Sequence, residues 1–320
     1  TNLMLSKEVI LKIKNVYTAN AFRTEKGFYV GAGSETEADV QLYDLNTGVS
    51  ESLPDCPGGM MSFIPIPGHP DFYITIMGLF PPFIGGDAGL YLHQLSPAGW
   101  KTQKALSFPF AHRCEILSSE GENFLVAAKV SAYKENPPDW SRPGEVHLVS
   151  LKNPSRLPWD SLLIDEGITR NHGMIKNLVD GKEILCVSGE QGVYGVESGR
   201  DRQWKVNKLF DKEVSEVNFL DLDGDGRSEM VTIEPFHGNT INVYKRSGSE
   251  WQLRFSDSLS FGHGLGSGMF NGKPVIVVGN RSESLALEVF TVADLSRGQL
   301  KRRLLEAEAG PTQTQVFSFQ

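Results

Sequence analysis

Short apolar runs, separated by glycine, proline and polar turns, extend along the whole chain. One kind of run, aliphatic with tyrosine, recurs at 40–45, 90–95, 146–151, 193–196, 241–244 and 285–292. After three of them a polar turn leads into a run opened by tryptophan, at Trp100, Trp204 and Trp251. Runs of this length, rich in β-branched and aromatic residues and bounded by turn formers, read as strands. The 33 glycines and 17 prolines supply the many turns an all-β chain needs. Apart from a short stretch near 299–309, no segment of useful length carries a helix period.

The runs belong to a longer repeat. His172-Gly173 precedes Asp180-Gly181-Lys182 by eight residues, and His263-Gly264 precedes Asn271-Gly272-Lys273 by the same eight. A weaker copy starts at His112, eight residues before Glu120-Gly121. His172 and His263 stand 91 residues apart, twice the roughly 45 residues of a four-stranded propeller blade. The expected fold is therefore an all-β β-propeller forming one domain over 1–320, with units near 16–55, 56–107, 108–166, 167–212, 213–257 and 258–309. What remains, 310–320 with 1–15, suffices for an inner strand at 312–319 and an outer strand at 9–14. A seven-bladed ring with an incomplete closing blade is the first expectation and a six-bladed ring the second.

The segment Asp221-Leu222-Asp223-Gly224-Asp225-Gly226-Arg227-Ser228-Glu229 places carboxylates at positions 1, 3, 5 and 9 of a turn between two strand-like runs. Hard cations take six to eight oxygens, which Asp221, Asp223, Asp225, the Arg227 carbonyl and a bidentate Glu229 could supply to Ca²⁺ or Mg²⁺. Gly226 permits the positive φ that wraps such a loop. In its strand–loop–strand setting the segment resembles the FG-GAP or VCBS class of propeller repeat. Only the fifth unit carries the full loop; Asp180-Gly181-Lys182 and Asn271-Gly272-Lys273 keep the turn without the carboxylates. An unliganded acidic hairpin turn is the alternative.

The matched histidines point elsewhere. As first residues of inner strands, His112, His172 and His263 should open on one channel mouth, some ~26 Å of strand path from the turns. The equivalent position in the fifth unit falls near Glu216, and the loop after its second strand adds Glu234, His237 and Asn239. His112, His172 and His263 are the expected ligands of a transition metal there, since neutral imidazoles with a carboxylate suit Zn²⁺, Mn²⁺ or Fe²⁺. Alternatively each histidine merely caps its strand by bonding to backbone. His69, His93 and His147 are expected in turns or outer strands. Further rim candidates are Arg170, Asn171, Glu190 and Gln191 in the fourth unit, Asn280 and Arg281 in the sixth, Trp140 in the long 129–144 loop, and Phe80 and Phe83 in the second unit. Long loops on one face of a rigid scaffold are where ligand contacts concentrate. The His-Gly strand openings are also similar to the propeller domain of the aldos-2-ulose dehydratase family, which implies metal-dependent sugar lyase chemistry.

Charge and composition narrow the classes. A net charge of −8 argues against nucleic acid or an anionic membrane as partner. No run of 18 apolar residues spans a membrane. Three cysteines, Cys56, Cys114 and Cys186, make no disulfide framework, which slightly favours the cytoplasm. The chain starts at Thr1, so an upstream segment could have been removed. No nucleophile elbow, phosphate loop or dinucleotide fingerprint occurs. The expected function is a metal-dependent lyase or isomerase acting on a carbohydrate or keto-sugar. In it His172, His263, Glu216 and His237 do the chemistry, and the small polar ligand lies among Arg170, Asn171, Glu190, Trp140, Glu234, Asn239 and Arg281. A non-catalytic, calcium-stabilised binding propeller is the alternative.

Overall fold

A computed structural model describes residues 3–79, 85–199 and 203–319. Phe80 and Phe83 lie outside the described residues. The chain forms six four-stranded antiparallel sheets, each from four consecutive strands. They span 16–52, 62–107, 111–168, 173–210, 216–258 and 262–306. In every sheet the first strand lies at one edge and the fourth at the other, the order of a propeller blade. The six inner strands are Val16–Thr24, Ser62–Ile66, Ala111–Ser119, Gly173–Val179, Glu216–Leu220 and Gly262–Phe270. The second strands carry buried apolar runs such as Phe124–Ala128, the third strands alternate apolar with polar positions, and the fourth strands are mostly exposed.

Apolar clusters fill the spaces between neighbouring blades. Phe22, Leu42, Met60 and Phe63 join blades 1 and 2, and Ile74, Leu90, Cys114 and Leu125 join blades 2 and 3. Val126, Leu148, Leu185 and Val187 serve blades 3 and 4, and Val193, Val217 and Met230 serve blades 4 and 5. Ile233, Val243, Leu265 and Ile276 serve blades 5 and 6. Blades 6 and 1 meet differently, across the chain segment 311–317. Thr312 Oγ1 donates to the Tyr17 carbonyl at 2.7 Å and Thr314 Oγ1 to the Val277 carbonyl at 2.9 Å. The Gln313 and Gln315 side chains accept from the Ala19 and Ala21 amides, each at 2.8 Å. This segment closes the ring.

The structure corrects four expectations. The ring has six blades, not seven, because each blade draws its four strands from one continuous stretch and blade 6 needs no donated strand. Neither 312–319 nor 9–14 forms a ladder strand; the first is the wedge just described, and the N-terminal segment runs along the outer strand of blade 6, where Arg303 donates to the Leu3 carbonyl and Lys7 pairs with Glu306. The suspected helix near 299–309 is the outer strand Gln299–Glu306; on an edge strand exposed on both faces, Leu300 and Leu304 happen to fall at helical spacing. His93 and His147 sit on third strands, and His93 is fully buried between the Thr75 and Thr102 hydroxyls, at 2.7 and 2.8 Å.

Candidate metal and proton-transfer site

Four histidines meet at one end of the channel. His112 and His263 are second residues of the inner strands of blades 3 and 6, and His172 immediately precedes that of blade 4. His237 comes from the loop between the second and third strands of blade 5. Its φ of 48° is left-handed and seldom adopted by side-chain-bearing residues; its N–H donates to Ser215 Oγ at 3.0 Å. Such strain tends to gather where function requires it. His172, His237 and His263 each bring a ligand-capable nitrogen within 4.8 Å of the others, and the Nε2 atoms of His172 and His237 are 3.4 Å apart. His112 packs on His172 with ring centres 4.5 Å apart.

The backbone fixes two of the tautomers. His263 Nδ1 lies 2.7 Å from the Thr312 carbonyl and must donate to it, which leaves Nε2 with its lone pair free. His172 Nδ1 donates to the Ser215 carbonyl at 3.2 Å, with the same consequence. Glu216 Oε1 is nearer that nitrogen, at 2.9 Å, but off the hydrogen-bond direction. An Nδ1–H anchored on a carbonyl, with Nε2 turned inward, is how proteins orient imidazoles toward a metal. The Tyr17 hydroxyl lies 3.2 Å from His112 Nε2 and 3.3 Å from His263 Nε2. His112 Nδ1 is buried without a hydrogen-bond partner.

Burial sets the protonation states. It pushes His172 down to about 3 and His237 to about 2, with the neighbouring cations and imidazoles adding to the effect, and holds His112 and His263 well below the usual imidazole range. All four are neutral near pH 7, the state that ligates metal. Burial also raises the carboxyl of Glu216, against the pull of Arg113, whose Nη2 donates to Oε1 at 2.7 Å. Tyr17 is raised by burial too and keeps its proton.

The cluster is not the open mouth expected. His112, His172 and His263 are at most 3 % exposed. Phe236 stacks on His237 at 3.9 Å and stands edge-on to His172, Trp140 packs against Phe236 at 5.2 Å, and the Arg170 guanidinium covers both aromatic rings. Those loops roof the site. The cavity, about 310 Å³, lies on the other side, within the channel. Tyr17, Arg113, Glu216 and His263 line it, and it runs past Asn20, Asn218 and Ser267 along the inner strands. These strands become exposed toward their turns, as Leu178 and Met269 show.

The other expected residues divide. Trp140 and Arg170 belong to the roof, with Arg170 also pairing with Glu213 at 3.3 Å. Asn171 is buried beside His172, its Nδ2 without a partner. Arg281 lies over the Tyr17 ring and binds both oxygens of Glu35 at 3.0 Å. Three residues do not join them. Glu234 is spent inside blade 5, accepting from Asn242 and Tyr244 at 2.7 Å and from Thr232. Glu190 is exposed, and Asn239 is exposed with its side chain bonded to Thr240. Among the further candidates, Asn280 is buried in bonds to Ala286 and Glu288, and Gln191 caps Thr169. Loop membership indicates the face, not the direction of the side chain: Glu234 and Asn280 turn back into their own blades, and Glu190 and Asn239 point to solvent.

The acidic loop joins the first two strands of blade 5, at the opposite face. Asp221, Asp223, Asp225 and Glu229 converge there. Their oxygens already have partners: Gly224 and Gly226 amides donate to Asp221 at 2.8 Å, Arg227 to Asp225 at 2.8 Å, and Leu222 to Glu229 at 2.5 Å. The Lys245 ammonium sits among them, bonded to Asp223, 2.8 Å from Asp225 and 3.5 Å from Glu229. The donor set fits a hard cation, which would have to displace Lys245.

Tyr17, Arg113, Phe236 and Thr312 escaped the sequence reading. For Tyr17 a signal existed: it precedes Glu25, at the first turn of blade 1, by the same eight residues that separate His112, His172 and His263 from theirs. Arg113 adjoins His112, and nothing local distinguishes it.

No protein-family profile matches this chain, and no curated protein does. Solved structures do. A functionally unknown protein from Desulfotomaculum acetoxidans DSM 771 is similar with a TM-score of 0.56 and 12% identity, over 91% of this chain and 85% of its own. A proposed 6-phosphogluconolactonase (BF1038) from Bacteroides fragilis NCTC 9343 aligns with a TM-score of 0.49 and 12% identity, over 89% and 79%. At 12% identity the first likeness supports the fold alone, and nothing about activity follows from either.

Proposed function

We propose that the protein is a metal-dependent lyase or isomerase for a small carbohydrate or keto-sugar, with a transition metal held by His172, His237 and His263 and the substrate in the channel cavity. The observation that carries this reading is the convergence of three neutral imidazoles, two of them anchored through Nδ1 to backbone carbonyls. Zn²⁺, Mn²⁺ or Fe²⁺ suits such donors. A bound ion would supply Lewis acidity toward a substrate carbonyl oxygen. Glu216 is the general base: it lines the cavity and its raised pKa favours taking up a proton. Arg113 holds its carboxylate in place, and Tyr17, protonated at the same cavity wall, can donate toward a departing or migrating oxygen. His237, expected among the groups doing the chemistry, serves here as a ligand in place of His112, which packs on His172 outside the converging set. The likeness of the His-Gly openings to aldos-2-ulose dehydratase propellers supports the same reaction class.

A second reading, a calcium-stabilised binding propeller of FG-GAP type, draws on the acidic loop of blade 5 and on the roof over the histidines. Metal analysis after chelation and redialysis separates the two. One equivalent of transition metal, lost in His172→Ala and His263→Ala, supports the enzyme. Calcium alone supports the scaffold. No helix among the described residues is long and apolar enough to cross a membrane.

A further inference from the structure

The inner strand of blade 6 reads His263-Gly264-Leu265-Gly266-Ser267-Gly268, with glycine at every second position. Alternate residues share one face of a strand, so the three glycines strip that face of side chains. Segment 311–316 lies against it. A Cβ at Gly266 would come within 2.8 Å of the Thr314 carbonyl oxygen, at Gly268 within 2.9 Å of Val316, and at Gly264 within 3.2 Å of Gln313. Gly279, on the next strand, would meet the Pro311 carbonyl oxygen at 2.6 Å. The slot is therefore cut to the backbone of this segment. Across it, Gln313 and Gln315 accept from the Ala19 and Ala21 amides, and Gln315 donates to the Ala21 carbonyl at 2.9 Å, so that they pair with the open edge of the blade 1 inner strand.

The same segment touches the histidine site. The Thr312 carbonyl takes the Nδ1 proton of His263 at 2.7 Å, and Thr312 Oγ1 holds the backbone of Tyr17. Thr312, Gln313, Thr314 and Gln315 also wall the cavity. We propose that residues 311–316 are a detachable positioning element of the site: a strap that selects the His263 tautomer, completes the cavity wall and can be supplied as a separate peptide of the same sequence. Its consequence for metal rests on the function proposed above, whereas its docking does not. Without the strap, His263 loses the acceptor that keeps Nε2 free, and its ring is no longer held.

The test uses the chain lacking 311–320, the full-length Gly266→Val variant, and a synthetic peptide spanning 311–319, with Co²⁺ as a visible-spectrum probe. The intact protein should bind Co²⁺ with a ligand-field spectrum of nitrogen donors. Gly266→Val, which displaces the strap without removing it, should weaken Co²⁺ binding about 10- to 100-fold and alter that spectrum, as loss of an outer-shell partner does. The peptide should bind the truncated chain, raise its melting temperature and restore the Co²⁺ spectrum, while a peptide with Gln313 and Gln315 changed to alanine should bind more weakly. Should the truncated chain bind Co²⁺ with unchanged affinity and spectrum, or stay folded yet not bind the peptide, the strap proposal is overturned. If the intact protein binds no Co²⁺ but the peptide still docks and stabilises, the metal reading falls and the strap stands as a docking element.

Discussion

At the loop end of the ring, four imidazoles, three of them buried, face one another, and among the described residues no ammonium or guanidinium is seated between the three converging nitrogens. At the turn end of blade 5, four carboxylates face one another with Lys245 seated in their midst. Both are clusters that a metal could bind, yet their charge is handled in opposite ways. Lys245 and the Arg227 amide hold the Asp225 carboxyl below the usual range, the Gly224 and Gly226 amides bind Asp221, and burial pushes the Glu229 carboxyl up. The imidazoles escape repulsion by staying neutral, and with its proton on Nε2 His237 donates to the His172 Nε2 lone pair across 3.4 Å. The acidic cluster thus takes its counter-charge from within the protein, while the neutral imidazoles need none and keep nitrogen donors that a metal could use.

The largest effects should come from the histidines. Replacing His172 or His263 with alanine removes a ligand, and the loss in Zn²⁺ affinity should exceed the roughly 10- to 100-fold typical of an outer-shell change. Competition against a chromogenic chelator would measure it. Equal affinity in both variants would place the metal elsewhere.

Arg113→Met comes next. It strands Glu216, which is buried and has Arg113 as its close cationic partner. Breaking such a pair typically costs about 3–5 kcal/mol; because Arg113 is itself partly exposed and Glu216 can take up a proton, about 2–3 kcal/mol is expected in urea unfolding. The double variant with Glu216→Gln should recover part of it. A single variant as stable as the parent would mean that the pair is not desolvated.

Stability should also fall in mild acid. The histidines have folded pKa values below the 6.5 of the free side chain, so the unfolded chain takes up protons that the folded one refuses. Their contribution is whole above pH 6.5 and is lost as pH falls from there toward about 3, at roughly 1.4 kcal/mol per pH unit for each group. Glu216, whose folded pKa is raised, works the other way and offsets part of this. His172→Gln should flatten the profile between pH 6 and 4; an unchanged slope would mean that the imidazoles are hydrated.

The acidic loop should respond least. Millimolar Ca²⁺ should raise the melting temperature by a few degrees, more in Lys245→Met than in the parent because no ammonium has to be displaced, and not at all in Asp223→Ala. Identical melting curves with Ca²⁺ and with chelator in Lys245→Met would make the loop a self-contained turn.

Sequence alone revealed much of this comparison, and the limits are physical. The eight-residue offset set the face and register of His112, His172 and His263, because strand pairing ties a residue's depth to its distance from the turn. The same offset from the turn at Glu25 places Tyr17, a phenol where blades 3, 4 and 6 carry imidazoles, at the same depth. Blade number was harder to read: the strap and the N-terminal segment have strand-like composition, and only the glycine face of blade 6 reveals that one is a wedge. Lys245, twenty residues from Asp225, enters the acidic loop through sheet pairing that no local motif encodes. The roof is likewise a tertiary product, with Trp140 and Phe236 coming from different blades.

X-ray absorption at the Zn edge, on protein stripped of metal and reloaded with one equivalent, tests the central claim most directly. Three nitrogen scatterers at about 2.0–2.1 Å with an imidazole signature, one of them lost in His263→Ala, are expected. Failure to retain the metal, or an all-oxygen shell that persists in His263→Ala, would contradict the account.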